Sequence, residues 1–451
     1  MKRLATIRLV WLVSGVLFTC LESSVLVTAA DDPASPRVIV VGSSEPTPYE
    51  QCRRVVVGPG VNQPKPYTGY TGFVGWTGVA YTRTGALLVT FSSGYWHGSP
   101  PTGPTPLPLD FRQLFAQIAG VDISTFNAPR GGRAEISRSD DNGLTWSAPQ
   151  MMIDTPDDDR APAPLQLSDG TLIASLFCED GRGSKKTGTI RSSDDGKSWE
   201  QSPRWLDDGP FTWTATNGPP LQLQDKSILV CVYANNDPLD PEKPNSRLDK
   251  TTLWTPDGAS KPQPDALQFG VFQSKDRGDT WKCIGTLETY YDLDESSIAQ
   301  LHDGRLVMVA RPEGALSWSS DGGHTWTHPV RLPFRMFDPW LLTLKDGTLL
   351  CVHGSYQKEK RGLRAILSQD GGKTWLAAGP DYGFSIDPSA YGYSRGVQLP
   401  DGSVFIAYQQ GGGHTFADAC RMQIFGMRFR VSRGGRGIEL LPAAASPAKQ
   451  K

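Results

Sequence analysis

The apolar residues of this chain come in short runs, each introduced by a tight turn. Asp169-Gly170-Thr171-Leu172-Ile173 is the plainest case. Equivalent units begin at Thr84-Gly85, Asp225-Lys226, Asp303-Gly304, Asp346-Gly347 and Asp401-Gly402. Short apolar runs bounded by turn residues predict strands rather than helices. One stretch departs from the pattern. Phe111, Leu114, Phe115 and Ile118 have helical spacing inside a long insertion, Ser92 to Arg130, which also carries Tyr95-Trp96-His97. Long loops in a compact domain are functional or lack order; the aromatics and periodicity of this one predict an ordered lid over a binding site.

A second repeat is polar. Ser-x-Asp-x-Gly-x-(Thr/Ser)-Trp occurs at Ser139 to Trp146, Ser192 to Trp199, Ser274 to Trp281, Ser319 to Trp326 and Ser368 to Trp375. Ser and Asp can bond the backbone of their own turn, and Gly accepts positive φ without a Cβ clash. Thr faces a strand neighbour, and Trp is a large apolar anchor with one polar handle. Six turn-strand units against five boxes predict six repeated sheets, the last without a box, in a domain where no sheet can bury its faces alone. The boxes resemble the Asp-boxes of the sialidase superfamily, and the similarity covers roughly residues 65 to 430. The resemblance implies an all-β fold: a six-bladed β-propeller of four-stranded antiparallel blades, with the boxes on outer hairpins.

The ends of the chain set the expected organisation. Lys2, Arg3 and Arg8 precede an apolar stretch, Leu9 to Leu21, and Thr28-Ala29-Ala30 offers small residues for cleavage. Residues 1–30 therefore read as a secretory signal peptide, cleaved near Ala30. That predicts a periplasmic or extracellular protein with no stable membrane anchor. Residues 31–66 form an N-terminal segment in which Val38 to Val41 or Val55 to Val57 is expected to join and close the last blade. The propeller is expected over 67–435 and a disordered tail over 436–451, which is rich in Ala and Pro. The net charge of -2 and pI near 6.3 give no case for nucleic acid as a partner. Six cysteines remain after Cys20 leaves with the leader, an even number that permits disulfides in an exported chain. Cys178, Cys231 and Cys351 end apolar strands and read as buried free thiols. Asp157-Asp158-Asp159 reads as a solvated loop rather than a cation site, and no metal or cofactor is expected.

The candidate chemistry lies at a fixed register. The residues nine and ten positions before each turn glycine, or Lys226 in its place, should begin an innermost strand and face the central channel. They are Gly75-Trp76, Arg160-Ala161, Thr216-Asn217, Asp294-Glu295, Phe337-Asp338 and Gly392-Tyr393. A core would place apolar residues there, whereas convergent polar groups at a channel mouth mark a site.

Matched one position at a time, Glu295-Ser296-Ser297 with Arg311 at the end of the next strand resembles the catalytic Glu and a carboxylate-binding Arg of sialidases. Tyr393-Ser394 resembles their Tyr nucleophile, and Arg361, seven residues before Ser368, sits where the third Arg of the triad would be. The first blade departs from the family pattern, since Val74-Gly75-Trp76-Thr77 stands where Phe/Tyr-Arg-Ile-Pro is expected. Arg160 could supply a guanidinium from the adjacent blade, and Asp338 is a further substrate-binding candidate. Asp110, Asp122 and His97 are candidates for the general acid. The resemblance implies a secreted, exo-acting, retaining glycoside hydrolase that takes a terminal sialic acid or other acidic sugar from a glycan through Tyr393 and Glu295. A Tyr nucleophile, neutral until it reacts, avoids repulsion from the carboxylate of such a substrate. The alternatives are a carbohydrate-binding propeller with an aromatic platform (Trp76, Trp96 and Trp340) and a hydrolase or lyase for a neutral or uronic sugar.

Overall fold

The computed structural model describes residues 25–27, 36–43, 48–102, 128–180, 183–235, 267–287, 289, 291–355, 362–379, 383–413 and 416–443. Six antiparallel sheets follow one another along the chain. Blade one holds Phe73–Tyr81, Leu87–Gly94, Arg133–Ser139 and Gln150–Ile153, and blade two Asp158–Gln166, Leu172–Glu179, Lys185–Ser192 and Arg204–Trp205. In blade three the first strand is split into Trp213–Ala215 and Leu221–Gln222, followed by Ile228–Asn235, Gln268–Ser274 and Lys282–Leu287. Blade four holds Asp294–Gln300, Leu306–Arg311, Ala315–Ser319 and Val330–Arg331; blade five begins with Met336–Thr343, Leu349–Ser355, Leu363–Ser368 and Thr374–Gly379. Blade six holds Ser394–Gln398, Val404–Gln409, Ile424–Val431 and Ile438–Leu441. Each blade packs on the next, and blade six closes on Phe73–Tyr81 of blade one. The chain is a six-bladed β-propeller, with the first strand of every blade toward the axis.

The turns explain the regular spacing. All six turn residues have positive φ: Gly85, Gly170, Lys226, Gly304, Gly347 and Gly402, between 73° and 101°. Lys226 holds this conformation despite its Cβ, a position that glycine fills in the other five blades. The preceding Asp accepts the backbone N–H two residues on in five of the six, as from Thr171 to Asp169 at 2.9 Å.

Each box forms the hairpin between the third and fourth strands of its blade. Ser139 Oγ donates to Asp141 Oδ1 and accepts the Gly143 N–H, both at 2.8 Å. Asp141 in turn accepts the N–H and hydroxyl of Thr145 at 2.8 and 2.6 Å. The Ser192, Ser274 and Ser319 boxes repeat this network, and the Ser368 box keeps its Ser–Asp, Ser–Gly and Thr N–H contacts. The box glycines lie against the preceding blade: Gly143 on Phe405, Gly196 on Leu88, Gly278 on Ile173, Gly323 on Val271 and Gly372 on Trp318. The boxes thus fasten neighbouring blades two strands away from the axis, and the first box fastens blade one to blade six.

Both N-terminal runs add strands at the rim. Arg53–Val57 pairs antiparallel with Ile424–Met427 of the last blade. Arg37–Ser43 runs parallel to Thr374–Gly379 of blade five, and Val25–Val27 pairs antiparallel with Val38–Val40. Two expectations change. Residues 438–441 are not tail: Gly434 and Gly435 reverse the chain at positive φ, and Ile438–Leu441 pairs with Arg428–Val431 as the fourth strand of blade six. Asp158 and Asp159 are not in a solvated loop but are buried in the first strand of blade two, where buried polar groups supply their hydrogen bonds. Thr155 N and Oγ1 donate to Asp159 at 2.7 Å each, and Cys178 Sγ at 3.0 Å. All six cysteines from Cys52 to Cys420 are free, and Cys178, Cys231 and Cys351 are buried, as the strand pattern indicated.

The leader expected over 1–30, apart from Val25–Val27, lies outside the described residues, as do 103–127 of the expected lid and 444–451 of the tail. Only the base of the insertion is described. There the buried Tyr95 hydroxyl donates to Pro100 O at 2.7 Å, and Thr102 and Ala128 bond each other. Among the described residues no helix is long and apolar enough to cross a membrane, and no group of His, Cys, Asp and Glu could hold a metal ion.

Candidate functional site

The register nine residues before each turn is a structural one. The ladder between the first two strands slips there in four blades, at Gly75/Gly78, Arg160/Ala163, Asp294/Ser297 and Phe337/Trp340. At these bulges Trp76, Ala161, Glu295 and Asp338 take φ of 50°, 51°, 41° and 42°. Non-glycine residues in this region carry about 1–3 kcal/mol of strain each, and a bulge re-aims its side chains. Blade three breaks its strand over 216–220 instead, and blade six places Gly392, φ 144°, directly before Tyr393. Five blades therefore interrupt the inner strand where the sequence register places the candidate residues, and blade six starts its strand just after them.

Glu295, Tyr393 and Arg311 come together although 98 residues separate the first two. The Tyr393 hydroxyl donates to Glu295 Oε1 at 2.7 Å. Arg311 Nη1 lies 2.5 Å from Glu295 Oε2 and 3.4 Å from the Tyr393 oxygen, while its Nε is 3.1 Å from Asp294 Oδ2. Glu295 is 6 % exposed and Tyr393 5 %. Burial pushes the Glu295 carboxyl up to about 7 against the opposing pull of Arg311. Burial and the neighbouring Glu295 likewise push the Tyr393 phenol well above its ordinary value. The phenol is protonated at neutral pH and aimed at a carboxylate that can take its proton.

Asp338 sits in a separate network. Its oxygens meet Arg395 Nη1 and Nη2 at 2.6 and 2.9 Å, and the Ser394 N–H reaches Oδ2 at 3.2 Å. Asn217 Nδ2 stands 3.5 Å from Oδ1, and Arg395 Nε donates to Asn217 O at 2.6 Å. Asp338 is fully buried and Arg395 only 3 % exposed. This two-pronged pair ties blades three, five and six together; Asp338, expected to bind substrate, has both oxygens engaged by the protein. Burial holds its carboxyl above the ordinary range.

Arg160 also has a setting the sequence did not indicate. Its guanidinium meets Asp158 at 2.6 Å and Glu179 at 2.7 Å, and lies 5.0 Å from the centre of the Trp76 ring. Gly98 of the insertion abuts Arg160 Nη2 with no room for a side chain. At 8 % exposure the residue is held in a buried cluster of ion pairs.

The wall around Tyr393 is aromatic. Ring centres lie at 4.9 Å for Phe337, 6.1 Å for Trp76, 6.2 Å for Tyr391 and 6.3 Å for His97. His97 Nδ1 is 3.0 Å from Gly412 O, and its ring is 4.7 Å from Trp76. A cavity of about 630 Å³ opens beside this wall, lined by residues including Tyr391, Gly412, Asp418 and Arg421. Trp76 and Trp340 are buried, and Trp340 Nε1 donates to Ser394 Oγ at 2.8 Å, so Trp76, Trp96 and Trp340 form no open platform. Arg361, Asp110 and Asp122 lie outside the described residues.

Sequence reasoning missed Arg395, Glu179, Gln409 and Tyr233. Arg395 stands two residues after Tyr393, so strand alternation could have placed it on the same face. Gln409 Oε1 accepts the Trp76 N–H at 2.8 Å across 333 residues, a contact with no local signal. Tyr233, on the second strand of blade three, has its phenol pushed well up by burial and by the charges of Asp294 and Glu295.

Known proteins agree with this architecture. The family described as BNR repeat-like domain matches residues 130–406, more than half of the chain. The sialidase of Micromonospora viridifaciens is 25 % identical over 171 residues, 34 % of this chain and 25 % of that protein. The chain thus aligns with about a quarter of that relative's length. Among solved structures, a protein of unknown function from Dyadobacter fermentans superposes with a TM-score of 0.58 at 19 % identity, covering 86 % of this chain and 99 % of its own. A Hadza microbial sialidase gives 0.53 at 18 % identity (79 % and 65 % covered), and a leech intramolecular trans-sialidase 0.52 at 14 % (83 % and 71 %). At such identities the structural likeness is one of fold. Box repeats, six closed blades and the family match together place this chain in the BNR repeat-like domain family, within the sialidase-like superfamily.

Proposed function

We propose that this protein is a retaining glycoside hydrolase that removes a terminal sugar, with Tyr393 as nucleophile and Glu295 as its base. The 2.7 Å contact from the Tyr393 hydroxyl to Glu295 Oε1 carries the reading. In the first step the phenol oxygen bonds to the anomeric carbon, the glycosidic C–O bond breaks, and the phenol proton passes to Glu295. The leaving oxygen takes a proton from a third group; of Asp110, Asp122 and His97, only His97 is described, with its ring 6.3 Å from that of Tyr393. In the second step water attacks the anomeric carbon, its proton leaves to the third group, and Glu295 returns a proton to the phenolate. Arg311 holds Glu295 and stands near the phenol oxygen, where negative charge develops during attack.

On the family resemblance the sugar is acidic and Arg311, with Arg361, is its anchor. The ion pairs of the channel favour the neutral-sugar alternative, as argued below. With the leader read over 1–30, the reaction belongs outside the cytoplasm.

Two displacements at one carbon restore its configuration. Proton NMR of the first-formed product should therefore show the anomer of the substrate; an inverted product would rule out the glycosyl-tyrosine route.

A further inference from the structure

We infer that the site is specific for a neutral sugar, and that a carboxylate on the substrate counts against binding and turnover. This rests on the glycosidase reading above and concerns the substrate class of the same site.

The first support is the pairing of charge. Among the described residues three guanidiniums reach the channel, Arg160, Arg311 and Arg395, and each is matched by protein carboxylates. Arg160 holds Asp158 and Glu179, Arg311 holds Asp294 and Glu295, and Arg395 holds Asp338. Among the described residues, five carboxyl groups thus face these three guanidiniums. A substrate carboxylate must displace one of these partners or share a guanidinium that already serves one or two. Either course gains little pairing and brings a further negative charge into a site sheltered from water.

The second support is steric. A Cβ on Gly75 would fall 2.6 Å from Gln409 Oε1 and 2.9 Å from the Phe73 ring. A side chain there would require Gln409 and Phe73 to shift, and blade one presents no guanidinium from residue 75. The next residue, Trp76, has its ring 5.0 Å from the Arg160 guanidinium.

The third support is what remains to meet a ligand. The surroundings of Tyr393 are aromatic rings, Phe337, Tyr391, Trp76 and His97, with Glu295 on its hydroxyl. Aromatic faces suit the C–H faces of a sugar ring and hold no charge for a carboxylate to pair with. The phenol nucleophile fits this setting without reference to a charged substrate. A sixth carboxylate among these five would be driven toward its protonated, unreactive form, whereas a phenol is neutral until Glu295 takes its proton.

Pairs of aryl glycosides that differ only in charge test the inference: galactoside against galacturonide and glucoside against glucuronide, in both anomers, with an aryl sialoside beside them. The neutral member of the pair that turns over should have a kcat/KM at least about tenfold higher. Asp294→Asn, which removes one partner of Arg311, should narrow that ratio by raising the uronide's kcat/KM relative to the neutral sugar. A wild-type preference for the sialoside or a uronide overturns the inference, as does a preference for an acidic sugar that disappears in Arg361→Ala. Release from no member would instead sink the glycosidase reading. Calorimetric titration with galactose, galacturonate, glucose and glucuronate then decides the class without turnover: neutral sugars binding more tightly supports it, and acidic sugars binding more tightly, or no neutral sugar binding, overturns it.

Discussion

The box hairpins and the inner-strand ring are both repeats, and they use repetition in opposite ways. Every box carries the same residues, bonded to one another, at the exposed rim. The ring keeps its position in each blade but changes its residue: Trp76, Ala161, Asn217, Glu295, Asp338 and Tyr393. The two regions also treat a carboxyl group differently. In the box, hydrogen bonds from the Thr325 hydroxyl and N–H hold Asp321 down to about 2. In the ring, burial drives Glu295 up to about 7. A box carboxylate is satisfied by its own turn, whereas a ring carboxyl depends on partners from other blades. Identical residues build the scaffold; divergence at strained, bulged positions builds the site.

If that division is right, ring and box substitutions should separate activity from stability. Tyr393→Phe deletes the nucleophile and should lower kcat by roughly a thousandfold or more while thermal unfolding stays close to wild type. Near-normal turnover would make Tyr393 a channel lining only. Asp338→Ala is the exception that sharpens the comparison. Although a ring residue, it belongs to the buried pair with Arg395, and its loss should destabilise the fold by about 3–5 kcal/mol in urea unfolding. A variant of ordinary stability would show that the pair does not hold the blades together.

Asp276→Ala, in a box, should cost about 1 kcal/mol of stability from lost turn hydrogen bonds and leave kcat/KM unchanged. A loss of activity in a folded Asp276→Ala protein would break the division outright. The last two tests vary pH. Glu295 must be ionised to take the phenol proton, so kcat/KM should rise as pH climbs through about 7, a limb absent in Glu295→Gln. Stability runs the other way. Burial raises Glu295 and Glu135 from 4.5, and Asp159 from 3.8, all to about 7. Between those values the folded state holds protons that the unfolded chain has lost, so these three groups favour folding below about pH 4 and lose that contribution as pH rises through 7. The box aspartates act oppositely, since Asp321, lowered from 3.8 to about 2, stabilises the fold above its unfolded value and loses that effect toward pH 2. Tm should therefore peak near pH 4–5 and fall toward pH 7.5; a Tm that climbs over that range would contradict the raised carboxyls.

The sequence showed what repeats. The boxes were visible because a tight turn accepts few residues at each place, and the ring register because all six turns, even the one at Lys226, share the same backbone conformation. What it hid depends on which blades meet. Asp338 and Arg395 are 57 residues apart and Gln409 and Trp76 are 333 apart, contacts that only ring closure creates. Asp158 looked like part of a solvated acidic run because its partners, Arg160 and the Ser99 N–H, come from a strand and from the base of an insertion. Ile438–Leu441 was too short to stand out from the tail, and it is a strand because Arg428–Val431 offers it an edge.

The central claim is that Tyr393 becomes covalently glycosylated. It is tested most directly by trapping the intermediate with a fluorinated, activated analogue of whichever sugar the enzyme turns over. Peptide mass mapping should find the sugar's added mass on the peptide that contains Tyr393, at the phenol, and no labelling in Tyr393→Phe. Labelling of Glu295 or another carboxylate, or none in an enzyme that still turns over, would contradict the account.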